Sequence, residues 1–210
     1  MDLMEKILDL SLKRGRGAKE LESRMEKELK TLGMEGSSFS VQFQRSESPE
    51  GPIERDGKRY EVKQDGMDVI EFLLSTNSGE DLKPLRKIAS GGEISRIMLA
   101  LKGLLVDEIP TLIFDEVDVG IGGKMAEVIG EKLKILSRRK QVICITHLPQ
   151  IASRGEVHYQ VIKKKRNGRT ITQIIPLRGE ERKREIARMM GGPDRIALEH
   201  AEEMLKTGRK

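Results

Sequence analysis

Three short clusters in this chain carry side chains at spacings that chemistry could use. Asp115-Glu116 closes the apolar run Thr111-Leu112-Ile113-Phe114. Beyond the carboxyl end of a parallel strand, an Asp can hold the magnesium of a nucleotide through its water shell, and a following Glu can orient or deprotonate the attacking water. Ser90-Gly91-Gly92-Glu93 stands just before a helix-periodic segment. Ser is a good N-cap, the glycines let backbone approach a ligand, and the open amides of a helix start favour an anion such as a terminal phosphate. Thr146-His147 ends the run Val142-Ile143-Cys144-Ile145, where an imidazole could hydrogen-bond a terminal phosphate or the attacking water. Taken singly, each has an ordinary structural reading: a solvated turn, a capped helix, a surface histidine.

The elements that must position these clusters can be read from periodicity. Residues 1–32 read as helix, with Leu3, Ile7 and Leu10 spaced four and three apart and Ala18, Leu21, Met25, Leu29 and Leu32 continuing the stripe; Gly15-Arg16-Gly17 is expected to interrupt it. So narrow a stripe amid Glu, Lys and Arg suggests either the end of a coiled-coil arm or an amphipathic helix packed on the domain. Phe39, Val41 and Phe43 alternate as a half-buried strand does, residues 46–56 read as a loop, and Tyr60–Val62 and Met67–Leu74 read as further strands of an antiparallel subsheet.

From Ser90 onward helix alternates with apolar strand: helix from about Glu93 to Val106, strand Thr111–Phe114, helix Gly123–Leu136, strand Gln141–Thr146. That order argues for parallel strands with helical crossovers, and continuous apolar strands for a sheet covered on both faces. A short helix near Pro149–Ala152, a hairpin from Val157 to Ile175 turning at Asn167-Gly168, and a helical region broken by Gly191-Gly192-Pro193 complete the chain.

With 210 residues, 35% charged and 3% aromatic, the chain suits one domain plus an appendage, with a charged surface and an aliphatic core. The lone Cys144 lies in an apolar run and is expected to be buried; neither a disulfide framework nor a Cys-based zinc site is available. No segment resembles a signal peptide or a membrane span, so the expected location is the cytoplasm, without membrane contact. The formal charge is +5, with basic excess at Lys163, Lys164, Lys165, Arg166, Arg169, Arg178, Arg182, Lys183 and Arg184, which could form a face for phosphate backbones or a solvated edge.

Order and context favour a joint reading of the three clusters. Ile88-Ala89-Ser90-Gly91-Gly92-Glu93-Ile94-Ser95-Arg96, then Ile113-Phe114-Asp115-Glu116-Val117-Asp118-Val119-Gly120-Ile121-Gly122-Gly123, then Thr146-His147-Leu148-Pro149-Gln150-Ile151-Ala152 resemble the C-terminal layout of ABC-type ATPases of the SMC-like branch, and within it the RecN family of bacterial DNA repair proteins. The similarity runs from about Ala18 to the end, and Met1–Gly17 fits least well. The resemblance implies an α/β fold, the C-terminal lobe of an ATPase head: residues 33–210 as the lobe, with a mostly parallel sheet, crossover helices and antiparallel strands beside it, and residues 1–32 as the helical stub of a coiled-coil arm. It implies that Ser90, Gly91, Gly92 and Glu93 form a signature loop serving a nucleotide held by another subunit. Asp115 would serve magnesium, Glu116 the water, Asp118 communication across the dimer, and His147 the terminal phosphate. It implies ATP as the nucleotide, a head-to-head homodimer, DNA contacted through its backbone, a nucleoid-associated location, and a role in double-strand break repair and recombination.

The phosphate-gripping loop Gly-x4-Gly-Lys-Ser/Thr is missing. Gly57-Lys58-Arg59 has five residues after Gly51 and no hydroxyl, and Gly123-Lys124-Met125 also lacks the hydroxyl. Two readings follow. In the first, the chain is an ATPase lobe, inactive alone, that binds and turns over ATP only with an N-terminal P-loop lobe from the same or a separate chain. In the second, it is a non-catalytic DNA-binding or interaction module that keeps the fold.

Overall fold

A computed structural model describes residues 2–88, 90–105, 108–166 and 169–209, and the chain divides into two compact units, residues 1–106 and 107–210. In the first unit, α1 (Leu3–Thr31) buries Ile7, Ser11, Ala18, Met25 and Leu29, a single stripe recurring at four and seven residues. The helix runs unbroken through Gly15-Arg16-Gly17, against expectation. Each glycine costs a helix about 1 kcal/mol relative to Ala, and packing of the stripe along the whole length offsets it.

β1 (Ser38–Gln44) lies against α1, where Glu22 Oε1 accepts from the Val41 amide at 2.7 Å and from Ser40 Oγ at 3.1 Å. β2 (Ile53–Arg55), within the stretch expected to be loop, and β3 (Lys58–Tyr60), which meets the expected strand Tyr60–Val62 only at Tyr60, form a hairpin turning at Asp56-Gly57, both with positive φ (53° and 74°). That is the conformation a tight two-residue hairpin turn requires and an Asp-Gly pair supplies. β4 (Val69–Ser75) pairs antiparallel with β1 and with β5 (Lys83–Pro84), as the antiparallel subsheet requires. Beneath α1, the buried Asp68 carboxylate accepts from Ser11 Oγ at 3.0 Å and Arg45 Nε at 2.9 Å. α2 (Gly91–Leu104) packs on α1 and buries Ile97, Leu99 and Ala100; the expected end at Val106 lies outside the described residues.

The second unit begins with β6 (Thr111–Phe114), crosses through α3 (Gly123–Ser137) and returns as β7 (Gln141–Cys144), parallel to β6 with Thr111 opposite Gln141 and Phe114 opposite Cys144. Leu112 and Phe114 are buried with Ala126, Ile129 and Leu133 of α3. Among the described residues of this unit, cover on both faces does not occur. Ile113 and Ile143, paired side by side, are 66% and 44% exposed, and Ile145 is 55% exposed. One face of the parallel pair carries α3; among the described residues of this unit no element covers the other.

α4 (Pro149–Ala152) sits on α3 where Gly130 leaves room: a Cβ there would come within 2.7 Å of Arg154 Cδ. β8 (His158–Arg166) and β9 (Arg169–Leu177) form the long hairpin, its expected turn at Asn167-Gly168 lying outside the described residues. α5 (Gly179–Met189) and α6 (Arg195–Arg209) close on Ile186, Ala187 and Ala201. The basic stretch does not form one face. Arg182 is buried and donates to the carbonyls of Ser153 and Glu156, and Lys183 pairs with Glu202 at 2.8 Å, whereas Lys163, Lys164, Lys165 and Arg169 stay exposed.

Candidate nucleotide site at adjoining strand ends

β6 and β7 are parallel neighbours, so whatever follows each strand emerges at the same edge. The Ile145 amide still donates to the Phe114 carbonyl at 2.9 Å, which carries the pairing to the residue just before the acid pair. Asp115 and Glu116 are both exposed there. Glu116 adopts φ 59°, in the left-handed region that a non-glycine residue avoids. Such a conformation costs on the order of 1–3 kcal/mol and persists where surrounding structure imposes it. The imposing structure is the next turn of chain, where Val117 is fully buried and Asp118 is 2% exposed, so Glu116 is swung outward between an ordered strand and an anchored pair.

Asp118 is the pivot of the edge. Its Oδ2 accepts from Thr146 Oγ1 and from the His147 amide at 2.9 Å, and lies 3.1 Å from His147 Nδ1. Thr146 Oγ1 in turn accepts from the Leu148 amide at 3.0 Å. A carboxylate buried to this degree needs several donors, and it finds all of them in the turn after β7. The imidazole side chain is 70% exposed, so the ring stands at the strand edge with its Nδ1 side toward Asp118. Cys144, half-buried one turn of pleat earlier, has its thiol pushed up to about 12 by burial first, then by Asp118 and Asp115. It is inert as a nucleophile.

The signature-type loop belongs to the first unit. Ser90 caps α2 with extended backbone and accepts from the Glu93 amide at 3.5 Å; its carbonyl accepts from Ile94 at 3.0 Å. Gly91 and Gly92 form the first helical positions, two residues earlier than expected, with Gly91 exposed and Gly92 buried. Burial, after the opposing pull of Glu93, holds the Arg96 guanidinium below its usual range.

Thr146 is the residue whose part was not legible beforehand: its hydroxyl both donates to Asp118 and receives Leu148, and only its place beside His147 hinted at it. The site is an edge, and the clefts of about 370 Å³ near Arg14 and Asp68 and of about 240 Å³ near Gln150 and His200 lie elsewhere. A magnesium ion fits the donor set. Asp115 and Glu116 give two exposed neighbouring carboxylates, and magnesium asks for one or two with phosphates and waters supplying the rest.

The chain is 42% identical over 196 residues to the DNA repair protein RecN of Bacillus subtilis, covering 90% of this chain and 34% of that protein, and 45% identical over 210 residues to RecN of Treponema pallidum, covering 96% and 35%. This chain is RecN-like. It spans about a third of the length of the curated relatives it matches, in keeping with a C-terminal portion of RecN. No family model matches it. In fold, the RecN-like chain is similar to the Smc head domain with coiled coil and joint from Pyrococcus yayanosii (TM-score 0.51, 17% identity, 94% of this chain and 30% of that one). It is equally similar to the Smc head domain with an extended coiled coil from Pyrococcus furiosus (TM-score 0.50, 18% identity, 94% and 39%). The expected α/β lobe is the fold observed, with antiparallel strands and N-terminal helix, and with the parallel part of the sheet limited among the described residues to the β6–β7 pair. Among the described residues no helix is long and apolar enough to cross a membrane.

Proposed function

We propose that the chain is the C-terminal lobe of a RecN-type ATPase acting in double-strand break repair, and that it supplies half of an ATP site to a P-loop lobe absent from this sequence. The observation that carries this reading is the strand edge where exposed Asp115 and Glu116 stand beside a His147 held by buried Asp118. Likeness to RecN supports the assignment to repair, and the bare face at Ile113, Ile143 and Ile145 supports a covering lobe. Apolar area of that kind on an isolated unit marks a surface that a partner buries.

Each residue then has one task. Asp115 holds magnesium through its water shell; the ion, when bound, neutralises charge developing on the phosphates. Glu116, swung outward, orients the water whose oxygen bonds the terminal phosphorus as the bond to ADP breaks, and its carboxylate takes the water's proton. His147 offers Nε2 to the terminal phosphate or that water, and Asp118 fixes the ring. Asp118 is thus a positioning residue within its own chain, whatever it adds to communication across a dimer. The Ser90–Glu93 loop presents helix-start amides to a terminal phosphate held by another subunit, in a head-to-head homodimer assembled on ATP. In the same reading α1, with Leu3, Met4 and Leu12 exposed, is the base of a coiled-coil arm, the location is cytoplasmic and nucleoid-associated, and DNA is met through its backbone, with affinity falling steeply as salt rises.

ATP turnover of the purified chain, with and without a P-loop lobe, tests the proposal. Turnover appearing only on mixing is expected, and Glu116→Gln should lower it by roughly 10²–10⁴-fold while nucleotide-driven association persists. No gain on mixing leaves the other reading, a DNA-binding module that never hydrolyses ATP.

A further inference from the structure

α4 follows the His147 turn at once: the His147 amide meets Asp118, and Pro149 already opens the helix. A helix of 4 residues cannot hold itself, because nucleation costs more than its few bonds return. Pro149, Ile151 and Ser153 are buried all the same, so neighbouring elements fix it. α3 leaves room at Gly130, where a Cβ would come within 2.7 Å of Arg154 Cδ and 3.2 Å of the Gln150 carbonyl oxygen. α6 approaches so closely that a Cβ at Gly208 would stand 2.5 Å from the Ser153 carbonyl oxygen, and Lys134 of α3 ties that helix end by donating to the Gly208 carbonyl. α5 contributes a buried cation. Arg182 is 8% exposed, and its guanidinium donates to the carbonyls of Ala152 at 3.4 Å, Ser153 at 3.1 Å and Glu156 at 3.3 Å, and to that of Gly155. The last turn of a helix leaves its carbonyls without partners, and a cation set against them is stabilised by them and orders them in return.

We propose that Arg182 is a positioning residue for the His147 turn, acting through α4. The path is continuous. Arg182 gathers carbonyls between Ala152 and Glu156, and the Ala152 and Ser153 amides donate back to the Leu148 and Pro149 carbonyls at 3.1 and 2.9 Å. The Leu148 amide donates to Thr146 Oγ1 at 3.0 Å, and Thr146 Oγ1 donates to Asp118, which also takes the His147 amide. Asp118 thus holds the turn at the strand edge, and Arg182 holds the other end of the segment that the turn opens. Arginine suits the task because its planar fork spans several carbonyls at once, where a lysine ammonium acts as a point charge. All of these residues lie in the second unit. The inference rests on the ATPase reading only for the use made of His147; the coupling itself belongs to this unit.

Amide hydrogen exchange, read by NMR on the 210-residue chain, tests it. Arg182→Met keeps the apolar stem and removes the donors. The His147, Leu148 and Ala152 amides should then lose protection about tenfold or more, the scale of a hydrogen bond to a charged group. The Ile145 amide, bonded to the Phe114 carbonyl in the β6–β7 ladder, should change less than about twofold, because local opening and global unfolding expose different amides. Arg182→Lys should fall between parent and Arg182→Met. Gly208→Ala presses on the Ser153 carbonyl from α6, in the last turn of the last helix, and should loosen the same amides with the same selectivity; if Arg182→Met does not fold, it and Arg182→Lys decide. An equal loss at Ile145 and His147 would make Arg182 a packing residue and overturn the proposal. Unchanged protection of His147 in a folded Arg182 variant, or its indifference to Gly208→Ala, would overturn it as well. ATP turnover bears on the ATPase reading alone, so the two fail separately.

Discussion

The loop before α2 and the turn after β7, both assigned to phosphate, are built by opposite means. Ser90 reaches its capping amide across 3.5 Å at an exposed helix start, whereas Thr146 and His147 hang on a carboxylate whose side chain is 3% exposed. A loop shaped by backbone and a marginal cap can adjust to a nucleotide that arrives on another subunit. A histidine whose ring and amide both lie against one buried carboxylate has its direction set before anything binds. Under the proposed function, pliability falls where a second subunit would bring its nucleotide, and rigidity where His147 would meet the phosphate.

The contrast can be broken by measurement. Asp118→Ala strips the turn of its acceptor and leaves the Thr146 hydroxyl and His147 amide to find others; with a charged acceptor, the expected loss is about 3 kcal/mol in urea unfolding. A stability within error of the parent would mean that the turn holds itself. Cys144 reports on the same network from the strand beside it. With the folded thiol at about 12 rather than near 9, the proton is retained on folding. Its contribution is therefore fully present below pH 9, and is lost as the pH climbs toward 12. The expected decline is about 1.4 kcal/mol by pH 10, and Cys144→Ala should remove it; an unchanged pH profile would refute the shift. The smallest effect is expected at the loop: Ser90→Ala should cost no more than about 0.5 kcal/mol, the low end for a lost N-cap. A loss comparable to that of Asp118→Ala would show the two sites to be equally rigid.

Where sequence reading succeeded and where it stopped follows from what each signal contains. β6, α3, β7 and α4 fall within one or two residues of expectation, because apolar runs bounded by turn residues mark their own limits. β2 was hidden in a stretch rich in Pro, Gly, Ser and Glu, although Asp56-Gly57 signalled its hairpin with β3. An unbroken apolar run cannot say whether its second face is covered. Ile113 and Ile143 read as buried on both sides until the partner element proved absent from the described residues. Asp118 was singled out only through the family resemblance; its bond partners lie 28 and 29 residues on, and only the parallel register of β6 and β7 brings them together.

Glu116 has a consequence for anyone seeking a sturdier version of this protein. At φ 59° a glycine relaxes the backbone, by about 1 kcal/mol, so a library screened for heat resistance alone should enrich Glu116→Gly. Those clones would be the best survivors and, once paired with a P-loop lobe, the poorest hydrolases. Sequencing the survivors and assaying their turnover would show the inverse ranking directly, and a neutral or harmful Glu116→Gly would show that the turn bears no strain there.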